Sequence, residues 1–281
     1  MISRLIILTK ENKMKKTILI LAQLLIVSII YPQSNLGVKM EIGNGTSSMS
    51  DFTIEIEERG FSASVHVDRL KSTVKNIKFK FEDDYYNEMI QTLGSIASAS
   101  ASGIQIKVQD GREGFLLDIG NISYSLNDWE VDISQNGPKN MPVFTWEFDL
   151  QKAVATPSSE MTRNLKDEEW RVFNYFAEGR GSVTVKKISG NMSLDSYGKI
   201  SAKGIVILPV GKGTIEMSAT INRDLESEPF INSLKFNMTN LSPEVKSFLN
   251  DLILNENVPL RKKGNGFLLE MSGSINNPRF R

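Results

Sequence analysis

Few residues of this chain could carry chemistry. It contains one histidine, His66, and no cysteine. Thiol catalysis, disulfides and metal sites built from cysteine or paired histidines therefore lack their components. His66 falls on the polar side of a predicted strand, where we expect an ordinary surface residue. We expect no catalytic, cofactor-binding or metal-ligating residues, and no cofactor.

Other candidate motifs also favour structure over chemistry. Asp167, Glu168 and Glu169 are adjacent on a predicted helix, so their carboxylates point in different directions and form a solvated face. The glycine-rich segment 209–213 lacks the GxxxxGK[ST] spacing and joins strand to strand, which predicts a hairpin turn. The G-x-S-x-G pattern of serine hydrolases is absent. We therefore expect that the protein is not an enzyme.

The charge balance argues against polyanionic partners. Lys+Arg and Asp+Glu both total 33, so the formal net charge is zero. Without a net positive field, and without a basic cluster interleaved with aromatics, we expect no binding to nucleic acid. The expected partners are a lipid or another envelope protein, and the oligomeric state stays open.

The N-terminal segment indicates export. Met14-Lys15-Lys16 precedes an uncharged apolar run at residues 17–30, which has the form of a secretory signal peptide. The run is shorter than the ~20 residues of a spanning helix. We expect that translation starts at Met14, that residues 1–34 form a signal peptide or an uncleaved membrane anchor, and that the protein resides in the periplasm or cell envelope of a bacterium, or is secreted.

Period-two alternation of apolar and polar residues recurs through residues 35–281 and predicts a single β-rich domain. A helix near residues 158–178 could divide it into β halves. The predicted fold is mainly β: a large antiparallel, twisted and curved sheet, or a sandwich or open barrel, with about three amphipathic helices at its ends or edges. Turns are predicted at Glu58-Arg59-Gly60, Asp110-Gly111 and Asn127-Asp128.

Helices are predicted at three places. In residues 83–103, Met89, Leu93 and Ile96 recur at helical spacing before a Ser-Ala repeat, which continues the helix or forms a connector. Residues 156–181 give the clearest helix signal. Ser242-Pro243-Glu244 combines a cap, a proline in the first turn and an acidic residue, which together start a helix.

Three features of the predicted strands concern the shape of the sheet and its apolar side. At Lys186-Lys187 the apolar residues change from odd-numbered to even-numbered positions. This change of parity predicts a β-bulge and a bend. The unbroken apolar run at residues 205–208 predicts a strand covered on both faces. Aromatic and aliphatic residues on inner strand faces could line an apolar groove or fill a core; the candidate groove residues are Phe144, Trp146, Phe148, Ile215, Met217, Phe236 and Met238.

Residues 181–208 repeat a pattern of short amphipathic strands, and the chain closes with the tail MSGSINNPRF, Met271 to Phe280. Both features resemble AsmA-like proteins and the type II secretion N protein of bacterial envelopes. The resemblance covers mainly residues 181–281, with Ser274 where threonine is usual. It implies a non-enzymatic curved sheet with an apolar inner groove, acting in secretion or lipid traffic. The expected function is lipid transport or envelope assembly through a concave apolar surface; the alternative is a structural or interaction protein with a filled core.

Overall fold

The computed structural model describes residues 5–8, 36–84, 87–134, 137–165, 167–177, 181–222, 229–255, 258–274 and 276–281. The protein is mainly β, with 74% of residues in strands, and it forms one large antiparallel sheet that is open rather than closed. The predicted fold class is confirmed. The apolar run at residues 17–30, predicted as a signal peptide or anchor, lies outside the described residues.

The first strands are very long, and the later ones are of ordinary length. The strands are β1 (Leu5–Leu8), β2 (Leu36–Glu58), β3 (Phe61–Asp84), β4 (Asn87–Asp110), β5 (Glu113–Ser134), β6 (Gly137–Pro138), β7 (Val143–Pro157), β8 (Val183–Leu194), β9 (Lys199–Leu208), β10 (Gly211–Thr220), β11 (Phe230–Thr239), β12 (Arg261–Lys263), β13 (Gly266–Ser274) and β14 (Asn277–Phe280). The described helices are α1 (Ser159–Arg163), α2 (Asp167–Ala177) and α3 (Pro243–Asn255).

Strand order follows the chain almost without exception: β1-β2-β3-β4-β5-β7-β8-β9-β10-β11-β13-β12, with β6 beside β5 and β14 beside β13. β7 pairs directly with β8, so the sheet continues across α1 and α2. Tight turns produce this meander: Gly60 (φ +86°) and Gly111 (φ +57°) take left-handed conformations at the β2–β3 and β4–β5 connections. The turns predicted at Glu58-Arg59-Gly60 and Asp110-Gly111 are confirmed.

The long strands bend where left-handed residues line up across the sheet. The flanking register places Asp51, Asp68, Gly103, Gly120 and Lys152 in one row, which we call the first kink row. In it, φ is positive on alternate strands, at Asp51 (+53°), Gly103 (+58°) and Lys152 (+59°). The change of parity predicted at Lys186-Lys187 lies at the end of this row, because Gln151 pairs with Lys187 and Ala153 pairs with Val185. The β7–β8 register does not shift there, so the predicted β-bulge is wrong.

A second kink row crosses the sheet farther along the same strands. Its members are Gly43, Asn76, Ser95 and Asp128, and φ is positive at Asn76 (+52°) and Asp128 (+47°). In β3 the apolar positions are Val65 and Val67, then Leu70 and Val74, then Ile77 and Phe79, so the apolar parity changes at each row.

The helix predicted in residues 83–103 is wrong. Residues 87–103 belong to β4, which pairs with β3 and β5 along its length. The Ser-Ala repeat is strand: Ala97, Ala99 and Ala101 share one face, and Ser98 and Ser100 share the other. Met89 and Leu93 fit the helical spacing because this part of β4 carries apolar residues on both faces, which hides the period of two.

Two further predictions need correction. Asn127-Asp128 does not form a hairpin turn, since β5 runs through it to Ser134, and the left-handed preference of aspartate serves the kink at Asp128 instead. Residues 205–208 are not buried on both faces: all are half-buried, and Leu208 packs against the cluster of Val210, Val245, Leu249 and Phe267 on one face only. Pro209 and Val210 do form the predicted turn between β9 and β10.

The helices lie beside the β5 end and the β9–β13 end of the sheet. Ser158 caps α1 by accepting a hydrogen bond from the Met161 amide (3.2 Å), and its hydroxyl also accepts from Gly114 of β5 (3.1 Å). The hydroxyl of Ser242 accepts from the Val245 amide at 3.4 Å, so α3 starts where the sequence predicts. The helix predicted in residues 156–181 is present as α1 and α2.

Candidate functional site

The register brings the candidate groove residues to one face of the sheet. Residues directly opposite in an antiparallel pair point to the same side. Successive pairs therefore define rows that cross the strands on one side. These rows are Phe144-Leu194-Ile200-Ala219, Trp146-Met192-Ala202-Met217-Leu234, Phe148-Gly190-Gly204-Ile215-Phe236 and Leu150-Ile188-Val206-Gly213-Met238. We call this side the apolar face.

Helices cover one end of the apolar face. Val210, Val245, Leu249 and Phe267 form a buried cluster, with none more than 9% exposed. Tyr175 of α2 and Phe248 of α3 pack against the same cluster, and the centroids of their rings lie 5.3 Å apart. This is the best-packed part of the described molecule, and it lies at the β9–β10 turn.

Beyond these helices the apolar face is open. Trp146 is 37% exposed and Ile215 is 38% exposed, and Tyr124 on β5 reaches 51%. Trp146 and Phe148 stack on each other with ring centroids 5.8 Å apart. Among the described residues no large side chain is fully buried, as expected for a sheet that mostly lacks a second layer.

Glycines form the lowest part of this face. Gly190 and Gly204 lie directly opposite each other, flanked by Phe148 on one side and Ile215 on the other. A Cβ on Gly204 would approach Cγ2 of Ile215 to 2.8 Å, so Ile215 leans over Gly204. We call the apolar strip along β8 and β9 the lane. It is lowest at this glycine pair, and it carries Met192 and Ala202 in the row on one side and Ile188 and Val206 in the row on the other.

The opposite face contains a cavity of ≈ 720 Å³ that the sequence analysis missed. Its floor is strand backbone, and its sides carry hydroxyl, amide and charged groups. The polar side chains around it include Lys71, Thr73, Ser98, Ser100, Ser123, Ser125, Glu147, Asp149, Ser189, Asn191 and Lys203. We call it the polar trough. Of the candidate groove residues, only Phe148 borders it.

Asp149 in the polar trough has two polar partners. Asp149 accepts a hydrogen bond from Gln151 Nε2 (2.7 Å), and Lys187 Nζ lies 3.2 Å from its other oxygen. The side chains of Lys187 and Asp149 are 40% and 31% exposed, so the ion pair contributes little to stability. The signal that could have identified this surface is the strict alternation of serine in residues 98–102, which places serines on the same side as Ser123 and Asp149.

His66 has partners but no cleft. Its Nδ1 lies 3.0 Å from Thr53 Oγ1, and its Nε2 lies 3.2 Å from Asp68 Oδ1. Hydroxyl, imidazole and carboxylate thus follow one another, an order that also occurs in nucleophilic enzymes. The Asp68 side chain is 68% exposed, and none of the three residues borders the polar trough. Because these three side chains lie on an open surface, we interpret them as a cross-strand hydrogen-bond network.

The described ranges contain neither a metal-binding cluster nor a membrane-spanning helix. No group of three or more His, Asp or Glu that could hold a metal ion occurs there. No helix in that part of the chain is long and apolar enough to cross a bilayer. The acidic residues Asp167, Glu168 and Glu169 lie in α2, and their side chains are outside the described set.

The chain was compared with known proteins at three levels. No family model, no curated protein and no solved structure matches it. The geometry of the apolar face and the polar trough is therefore the basis for any functional conclusion.

Proposed function

We propose that this protein is a non-catalytic component of the bacterial envelope that binds the acyl chain of a lipid on its apolar face. The observation that supports the proposal is the open part of that face, where Trp146 is 37% exposed and stacks on Phe148, which borders the Gly190–Gly204 pair. Contiguous apolar surface of this kind marks an interaction site in a soluble protein.

The lane suits a linear ligand. Gly190 and Gly204 lower its floor at one row, between Phe148 and Ile215. In the rows on either side the floor is formed by apolar side chains: Met192, Ala202, Ile188 and Val206. Each buried methylene contributes about 0.8 kcal/mol, so a chain lying along β8 and β9 gains several kcal/mol before ordering costs. The cluster around Val210 and Phe267 closes one end of the lane. A polar headgroup would therefore lie at the opposite, open end.

Export and family resemblance support the same assignment. The basic residues Lys15 and Lys16 before the apolar run at 17–30 indicate secretion, and the tail phrases resemble AsmA-like proteins, for which lipid traffic is the expected role. The rival hypothesis of a filled core requires a layer over the apolar face. Within the described ranges, α2 and α3 supply such a layer only at the β9–β10 end.

The experiment uses tryptophan quenching by a fatty acid that carries a doxyl group on its chain. Trp146 lies on the open face, whereas Trp129 is 8% exposed. In a background that carries Trp170→Phe, so that only two tryptophans fluoresce, we expect saturable quenching, its loss on adding Trp146→Phe and its retention on adding Trp129→Phe. Lipid extraction and mass spectrometry of protein purified from a bacterial envelope should find a bound acyl lipid.

A clear negative result is available. Equal quenching in both tryptophan variants, or protein that carries no lipid and does not bind the probe, would contradict acyl-chain binding. In that case a partner protein would be the remaining occupant of the apolar face.

A further inference from the structure

The two edges of the sheet differ. At the C-terminal side, the outer edge of β13 is occupied twice, by β12 at residues 266–268 and by β14 at residues 271–274. At the N-terminal side, β2 pairs with β3 over nearly its whole length, but on its outer edge only β1 is bound, at residues 53–56. Within the described residues, the outer edge of β2 from 36 to 52 therefore has no pairing strand. Such an edge accepts another strand.

β2 has an internal symmetry about Ser47. The second kink row crosses β2 at Gly43 and the first crosses it at Asp51, at equal distances on either side of Ser47. The apolar positions follow the same symmetry: Met40 and Ile42 precede one kink, and Phe52 and Ile54 follow the other. An antiparallel strand of the same sequence, centred at Ser47, would match this pattern position by position.

We propose that the protein forms a two-fold symmetric dimer in which the β2 edges of two copies pair antiparallel, with the axis at Ser47. In this register Ile42 lies opposite Phe52 of the other copy; Met40 would lie opposite Ile54 only in copies that lack β1, because β1 occupies the outer edge of Ile54. Met49 meets Gly45. The apolar sides of the two sheets then join into one continuous surface, as an isologous contact requires.

The kinks support this register. Within one chain, each left-handed residue of a kink row is flanked by a residue without positive φ: Asp51 (+53°) by Asp68, and Gly103 (+58°) by Asp68 and Gly120. Across the proposed axis, Asp51 meets Gly43 of the other copy, whose φ is not positive. The alternation therefore continues through the interface, and each kink row of one copy runs into the other kink row of its partner.

Other registers fail on simple grounds. A shift by one residue places apolar positions on the polar side of the other copy. A shift by two residues keeps the faces but sets the kinks of the two strands out of line. In copies that lack β1, Lys39, which contacts Glu41 at 3.2 Å in its own chain, would lie opposite Glu55 of the other copy.

The position of β1 determines the extent of the pairing. β1 binds residues 53–56 in antiparallel orientation, which shows that this edge accepts a strand. With β1 in place in both copies, residues 42–52 stay available for mutual pairing. If export removes the N-terminal segment, the available edge extends over all of β2, and the dimer should become tighter.

The test uses the full chain and cysteine cross-linking, because the protein contains no cysteine of its own. In Ser47→Cys the two cysteines lie opposite each other at the axis, where antiparallel Cα atoms are ~4.5–5.5 Å apart and can form a disulfide. In the matched control Ser50→Cys they are separated by ~20 Å along the strands. We expect rapid disulfide-linked dimer in the first variant and none in the second.

Two more measurements make the test specific. A mixture of Asn44→Cys and Ser50→Cys chains should give the mixed dimer, because these positions lie opposite each other across the axis. Ser47→Lys places like charges side by side at the axis and should weaken dimerisation several-fold, whereas Ser50→Lys should not. Light scattering reports the mass of the unmodified chain relative to the 31.5 kDa monomer.

The overturning results are equally definite. A chain that stays monomeric across the accessible concentration range rules out the dimer. A dimer in which Ser47→Cys links no faster than Ser50→Cys rules out this interface.

Discussion

The indole ring of Trp129 lies directly against the Cα of Gly94 on the neighbouring strand, so that a Cβ on Gly94 would overlap ring atoms. Trp129 is 8% exposed and donates a hydrogen bond from Nε1 to Thr92 Oγ1 at 3.3 Å. The glycine thus holds the ring flat on the sheet near the second kink row.

Gly94→Ala should destabilise the protein by about 1–3 kcal/mol, because the ring must leave its position. Urea denaturation measures the change. Gly43→Ala is the control, since a Cβ there meets nothing within 4 Å and φ is not positive. Equal losses in both variants would show that the contact is not responsible.

Lys152 carries a cost that can be removed. Its φ of +59° is unfavourable for a side chain with a Cβ, whereas Lys186 on the next strand of the same row has no positive φ. We expect Lys152→Gly to raise the free energy of unfolding by about 1 kcal/mol. Lys186→Gly should lower it by about 0.5–1 kcal/mol, as glycine does within a strand. A loss of stability in Lys152→Gly would contradict the assigned conformation.

Glu244 should make the start of α3 sensitive to acid. A hydrogen bond from its own backbone amide, then one from the Ser242 hydroxyl, lowers the pKa of this carboxyl below 4.5. A lowered pKa contributes stability that is present above the unfolded value and is lost as pH falls through the folded value. Thermal unfolding from pH 6 down to about 3 should therefore show a steeper loss in the unmodified chain than in Glu244→Gln. Parallel curves would remove Glu244 from the explanation.

Glu270 links the last strands of the sheet. Its side chain is 17% exposed and contacts both Arg261 of β12 and Lys235 of β11, the latter at 3.4 Å. Glu270→Ala should cost about 1 kcal/mol, because a mostly buried carboxylate that joins three strands loses two charge-assisted contacts, while the exposed cations stay hydrated. Glu41→Ala is the matched control: its pair with Lys39 is exposed at both ends and should be worth only a few tenths of a kcal/mol. Similar effects in the two variants would contradict this difference.

Much of the fold could be predicted from local signals. Gly60 and Gly111 mark hairpins because a left-handed residue directly follows an alternating strand, and Ser242-Pro243 marks a helix start because cap and proline coincide. The candidate groove residues, among them Trp146, Phe148 and Ile215, are predicted from the alternation of apolar and polar positions along each strand. The register brings them to one face.

What could not be predicted depends on partners distant in sequence. Asn127-Asp128 carries the same left-handed signal as a hairpin, but β5 continues because β4 and β7 pair with it on either side of the kink. Met89 and Leu93 suggest a helix until the pairing of β4 with β3 and β5 is known. The polar trough was missed because no residue in it is unusual. The strand register, which depends on distant partners, brings Lys71, Asp149 and Asn191 around one cavity.

The occupied outer edge of β13 has a consequence for assembly. A chain with two open edges can add copies head to tail without end and grow into a filament. Here β12 and β14 protect one side, so the pairing of two β2 edges uses the only long open edge among the described strands. Association then stops at two copies, and a protein built almost entirely of exposed strand avoids uncontrolled polymerisation.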